Sequence, residues 1–174
     1  MAWRTYKSST DNDDLTVIVD PEERRKKAWN TALRKISSRE RSSIDLRKYL
    51  ESRSFESEII DSVMKELIEK KWLDDERYAQ TLVRHQGNRG KGPSYIQRKL
   101  REKGLFLKAD EISSILFEAQ GKSEAVRARE IIERKYPDYA TDLREKKKAF
   151  EALVRRGFSF DTAKKAVSSK DKLE

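Results

Sequence analysis

The chain has 174 residues, with 40 Lys and Arg against 31 Asp and Glu, for a formal charge of +9. Charged residues make up 41% and hydrophobic residues 36%, against about 25% charged in an average globular domain, which excludes one large spherical core and favours several small ones. Six Gly and three Pro are too few for a turn-rich sandwich or barrel, and the absence of Cys removes disulfides, thiolate nucleophiles and Cys-ligated zinc.

Residues 1–20 set Arg4 and Lys7 against Asp11, Asp13, Asp14 and Asp20, without helical periodicity, and read as a mobile tail. Its apolar run, Leu15 to Val19, is β-branched enough to pair as a strand but reads better as a flexible lead-in. No window approaches the run of about 18 apolar residues that a membrane span needs. The opening lacks a signal peptide's apolar core, so the expected location is the cytoplasm and no membrane partner is expected.

Pro21 opens the first helix, at a position where a missing N–H costs nothing. From there the apolar spacing is helical throughout, most clearly in Ile59, Ile60, Val63, Met64, Leu67 and Ile68, which form one buried face. Shorter stripes follow the same period, and nine short helices result. Helix starts coincide with Ser42-x-x-Asp45, Asp74-Asp75, Pro93-Ser94-x-x-Gln97, Ser123 and Ser159, while Gly104, Gly121 and Gly157 sit where helices stop. Trp29, Trp72 and Tyr78 lie on the apolar stripes and read as core.

Comparing the chain with itself gives an internal repeat. Leu46-x-x-x-Leu50-x-x-Arg53-Ser54-Phe55 returns as Ile96-x-x-x-Leu100-x-x-Lys103-Gly104-Leu105, and again as Ala149-x-x-x-Leu153-x-x-Arg156-Gly157-Phe158. The fold class is therefore all-α: three tandem three-helix repeats over 21–73, 74–120 and 121–174, following the 1–20 tail and ending in a short tail of their own. Units this small are expected to stack and share apolar faces, giving an elongated, curved molecule.

Candidate chemistry is sparse. The one histidine, His85, has no acid at helical spacing to orient it, and the acids lie scattered among bases without a metal-loop order, so neither a catalytic residue nor a metal site nor a cofactor is expected. Asp74-Asp75 reads as a helix cap rather than an acid/base pair. The run Gly87 to Ser94 has the wrong spacing for a nucleotide loop and reads as a flexible, solvated connection that caps the next helix at Ser94; contact with a phosphate backbone is an intermediate possibility. The remaining signal is basic. Residues 84–103 carry seven cations against Glu102 alone, and residues 144–156 carry six against two acids. Arg84, Arg89, Lys91, Arg98, Lys99, Lys147, Lys148 and Arg155 are accordingly the candidate binding residues, with salt-sensitive contacts to phosphates.

Trp72-Leu73-Asp74-Asp75-Glu76-Arg77-Tyr78-Ala79, Gly90-Lys91-Gly92-Pro93 and Leu100-Arg101-Glu102-Lys103-Gly104-Leu105 together resemble the middle repeat of the RecX family, and the likeness extends over about residues 28–168. The resemblance implies tandem three-helix repeats and a non-enzymatic regulator, acting in DNA repair, recombination and the SOS response. Such a regulator binds RecA filaments on single-stranded DNA, inhibits ATP hydrolysis, strand exchange and coprotease activity, and has some DNA affinity of its own. The expected partners are thus the RecA filament and, weakly, single-stranded DNA, with the protein itself a monomer. Ser54 departs from the glycine usual at the first helix end, and residues 1–20 match nothing in the family pattern. A plain helix-turn-helix DNA-binding protein is the alternative, although no one helix gathers the Arg, Asn and Gln needed to read bases.

Overall fold

The structure, a computed structural model, describes residues 5–6, 17–18 and 20–168. Among these are nine helices: α1 (Pro21–Ser38), α2 (Ser43–Glu51), α3 (Ser57–Glu69), α4 (Asp75–Asn88), α5 (Pro93–Arg101), α6 (Ala109–Gln120), α7 (Glu124–Lys135), α8 (Leu143–Arg155) and α9 (Phe160–Ser168). Ahead of them, β1 (Thr5–Tyr6) pairs antiparallel with β2 (Val17–Ile18). The flexible lead-in expected at 15–19 is therefore corrected at Val17 and Ile18, which pair as a strand. The rest of residues 1–19, and the C-terminal residues 169–174, lie outside the described residues.

The chain divides into two compact units, Met1–Asp75 and Glu76–Glu174. In the first, α1 to α3 enclose Ala28, Ala32, Leu46, Leu50, Ile60, Val63, Met64, Leu67 and Leu73. Asp20 caps α1 by accepting from the Glu22 N–H at 3.0 Å, with Pro21 at the first helical position, and Ser42 caps α2 through the Asp45 N–H at 3.2 Å. Arg24 fastens α1 to the α2–α3 turn: its guanidinium pairs with Glu56 at 3.3 Å, donates to the Ser54 carbonyl and lies over the Phe55 ring.

Three expectations change in this unit. Asp75 does not cap the helix it begins; its carboxylate accepts from the Ser43 N–H at 2.8 Å and from the Ser43 hydroxyl, so it closes the start of α2 instead. Trp72 is not core but half exposed, tilted against Trp29 with ring centroids 6.0 Å apart. Ile68, the last residue of the α3 stripe, is likewise exposed.

The second unit holds two separate apolar clusters. One is Ala79, Val83, Ile96, Leu100, Ile112 and Leu116 from α4 to α6; the other runs from Ala128 to Val167 on α7 to α9. The expected sharing of apolar faces is thus corrected within this unit: each three-helix set buries its own stripe, and the two sets are joined by other means, described below.

The repeat has a physical basis in one helix ending used three times. Arg53, Lys103 and Arg156 each donate a backbone N–H to the carbonyl three residues back, as do Ser54, Gly104 and Gly157. Phe55, Leu105 and Phe158 then reach five residues back to Leu50, Leu100 and Leu153, completing a Schellman motif. The middle residue must turn left-handed, with φ of 58° at Ser54, 71° at Gly104 and 86° at Gly157. The following apolar residue then folds back onto the leucine that seeds each core, which accounts for the invariant spacing from Leu to Phe or Leu.

Leu100 is fully buried, so Leu100→Ala is expected to cost about 2 to 5 kcal/mol in denaturant unfolding; a loss under about 1 kcal/mol would contradict its place in the core. Ser54 carries a left-handed backbone without glycine's freedom. Ser54→Gly is expected to raise the stability of the first unit by about 0.5 to 1 kcal/mol, the relief of the left-handed strain exceeding the added freedom of the unfolded chain.

Candidate functional site

Lys91, Arg98 and Arg156 come together at the turn between α4 and α5. Gly87 and Asn88 belong to α4 itself, and a side chain at Gly87 would collide with Leu116 of α6. The helix ends as the three repeat helices do, with Gly90 left-handed at φ 70° and the Lys91 N–H donating to the Gln86 carbonyl at 3.1 Å. The chain then meets the far end of α8. The Gly92 N–H donates to the Arg156 carbonyl at 2.8 Å, and the Ser94 N–H donates to the Gly157 carbonyl at 3.0 Å.

The solvated, flexible connection expected here is therefore corrected to a hydrogen-bonded junction, buried at Gly92 and Pro93. Between the two donors stands Pro93, which has no N–H to satisfy. The cap of α5 is Gly92, not Ser94, and Gln97 donates instead to the Leu107 carbonyl at 2.9 Å. Orphan donors at the start of α5 are met by orphan acceptors at the end of α8, which also sets the positive end of one helix dipole against the negative end of the other. Contact this close requires glycine on both sides. A Cβ on Gly92 would strike the Gly157 carbonyl and the Phe158 nitrogen, and one on Gly157 would strike the Tyr95 backbone. Since these N–H groups are taken, an anion must be met here by side chains.

A second clamp runs through Arg127 of α7, 6% exposed, whose Nη2 donates to the Lys91 carbonyl at 2.8 Å and whose guanidinium lies 5.9 Å from the Phe158 ring centre. Burial pushes the Arg127 guanidinium below its ordinary value, while the charges of Glu124 and Glu130 act in the opposite direction.

On the outer side of the turn, Tyr95 carries a cation over its ring from two directions, Lys91 at 4.3 Å and Arg98 at 5.2 Å. Arg156, at the end of α8, brings Nη1 to within 3.7 Å of where a Gly90 Cβ would stand. The junction thus gathers Lys91, Arg98 and Arg156 around one aromatic ring and one turn. Arg84 is exposed on α4, before its last turn, and Arg89 just beyond the helix, and Arg84 donates to Gln80 at 3.3 Å.

Other candidates are turned toward local partners. Lys99 pairs with Glu102 at 2.7 Å, which holds the Glu102 carboxyl below its ordinary value, and Lys148 pairs with Glu145 at 2.7 Å, which holds its ammonium above. Arg155 lies 3.8 Å from Glu151. Lys147 is exposed near the start of α8, eight residues or about 12 Å along the helix from Arg155. Tyr95 and Arg127 lie outside the candidates read from the sequence, since nothing local marks a contact made 36 residues away, and Arg156 is counted there only within the 144–156 basic run.

His85 is exposed on α4, and among the described residues no group of three or more His, Asp and Glu side chains is placed to hold a metal ion. Nor is any described helix long and apolar enough to cross a membrane.

Replacing Gly92, whose φ of −88° any residue adopts, tests the junction by bulk alone. Gly92→Ala is expected to cost about 1 to 3 kcal/mol through overpacking, whereas Ser94→Ala should stay within about 0.5 kcal/mol because its backbone N–H survives. Thermal unfolding of both variants reads the difference, and a loss of about 1 kcal/mol at Ser94 would return the cap to its hydroxyl.

Known proteins match the chain along most of its length. Family models for the first, second and third three-helix domains of RecX match residues 28–67, 74–105 and 123–167. The regulatory protein RecX of Stenotrophomonas maltophilia (strain R551-3) is 32% identical over 136 residues, covering 78% of this chain and 82% of its own. That of Streptococcus pyogenes serotype M5 (strain Manfredo) is 31% identical over 140 residues, 80% of this chain; the match spans only 54% of the streptococcal protein's length. The crystal structure of RecX from Lactobacillus salivarius superposes with a TM-score of 0.71 at 23% identity, over 84% of this chain and 96% of that one, a likeness of fold.

Proposed function

The chain belongs to the RecX family, and on that premise we propose that it is a non-enzymatic regulator that binds RecA filaments on single-stranded DNA in the cytoplasm and inhibits their ATP hydrolysis, strand exchange and coprotease activity. The observation that carries this reading is the ordered match of all three RecX three-helix domains. The exposed cations support it chemically. Arg84, Arg89 and Arg98 stand in solvent on one connected segment of α4 and α5, where they reach phosphates or acidic side chains without first breaking an ion pair with a carboxylate. Lys147 adds an exposed charge on α8, while Lys99, Lys148 and Arg155 contribute only by exchanging a carboxylate for the partner. DNA contact of this kind positions rather than specifies, so it is weak, insensitive to sequence and lost in salt.

Titrating the protein into RecA on single-stranded DNA, with ATP hydrolysis as readout, tests the proposal. Inhibition is expected, at substoichiometric amounts if the protein acts at the growing filament end and near saturation if it coats the groove. No effect at any ratio would overturn the reading and favour a plain DNA-binding protein. Arg84→Ala/Arg89→Ala/Arg98→Ala is expected to weaken filament binding about tenfold or more, with helical circular dichroism unchanged; undiminished binding would remove the stripe from the contact surface.

A further inference from the structure

A cleft of about 410 Å³ opens beside the α4–α5 turn, lined by Gly87, Asn88, Gln120, Lys122, Arg127, Glu130 and Arg134 among others. Its cations outnumber its acids three to one. The decisive residue is Arg127. A guanidinium this buried is costly unless an anion balances it, yet among the described residues no carboxylate lies at ion-pair distance from it. The two acids whose charge it feels are engaged elsewhere: Glu130 is held by Lys122, and Glu124 accepts from the Ser159 N–H at 3.4 Å. The bond to the Lys91 carbonyl occupies one of the five guanidinium donors and fixes the plane of the group. Gln120 donates to the Asn88 side-chain carbonyl at 2.9 Å, which orients the Asn88 amide and leaves its own N–H groups as further donors.

We infer that this cleft binds a phosphate group, with Arg127 as the pre-positioned fork and Arg134, Lys122 and Asn88 as the surrounding donors. A tetrahedral anion matches a fixed guanidinium edge flanked by two exposed cations, and binding would release Lys122 from Glu130 or share it. The phosphate is either free, inorganic or on a small nucleotide, or part of a nucleic-acid backbone. The inference does not rest on RecA, and its test contains none, so its failure is distinct from failure of the regulatory reading.

The full chain is titrated with sodium phosphate against sodium chloride at matched ionic strength, with the arginine Nε–Hε resonances followed by NMR. The Arg127 and Arg134 resonances are expected to shift and saturate with phosphate only. In Arg134→Ala/Lys122→Ala, two exposed positions that leave the core intact, the apparent Kd should rise about tenfold. Absence of a phosphate-specific shift, or an unchanged Kd in the double variant, would overturn the inference. A single-stranded thymidine oligonucleotide that moves the same resonances at concentrations at least about a hundredfold lower identifies a backbone phosphate; equal or weaker action than inorganic phosphate identifies a free one.

Discussion

Two backbone hydrogen bonds, from Gly92 and Ser94 to the carbonyls of Arg156 and Gly157, hold the second and third repeats to one another. The two repeats keep separate apolar cores, and a third hydrogen bond, from Arg127 to the Lys91 carbonyl, crosses between them. The constraint then spreads outward. It demands a bare Cα at 92 and at 157, accommodates the proline between the two donors, and requires the left-handed ending of α8 that the repeat already supplies. It also fixes the Lys91 carbonyl that receives Arg127, and it sets Tyr95 where Lys91 and Arg98 share its ring. The grouping of Lys91, Arg98 and Arg156 is therefore a consequence of how two helix ends meet.

Periodicity made the helices legible, and the spacing from leucine to glycine made the threefold repeat legible, since both are local rules written in consecutive residues. Ser42, Ser123 and Ser159 cap their helices as their positions imply, each accepting a backbone N–H from three residues on. Gly104 and Gly157 turn left-handed as helix ends require, and Ser54 does the same without glycine. What the sequence concealed is non-local. A glycine that permits backbone contact with a partner 65 residues away looks the same as a glycine that loosens a loop. Asp75 looks like a cap for the helix it begins, and only the fold brings it to Ser43. Trp72 sits at apolar spacing, but the helix has already ended and its ring rests on Trp29 at the surface.

Charge follows the same division. The dense cations of 84–103 were visible as composition, but the structure separates them into kinds with different consequences. Arg84, Arg89 and Arg98 face solvent, Lys99 is tied to Glu102, and Arg127, outside that window, is buried with its donors aimed at a carbonyl and a cleft. The chain belongs to the RecX family, and its match to the streptococcal relatives spans about half of their length. A partner that meets this surface meets exposed side chains on a turn whose backbone is held by hydrogen bonds to the end of α8.

The claim on which this account turns is that the glycine-rich turn is a structural junction. Native-state hydrogen exchange at the Gly92 and Ser94 amides tests it most directly. Protection comparable to that of the Ile96 and Leu153 amides, within helices α5 and α8, is the result the account predicts. Exchange of Gly92 and Ser94 at the rate of an open, solvated loop, while those helices remain protected, would contradict it.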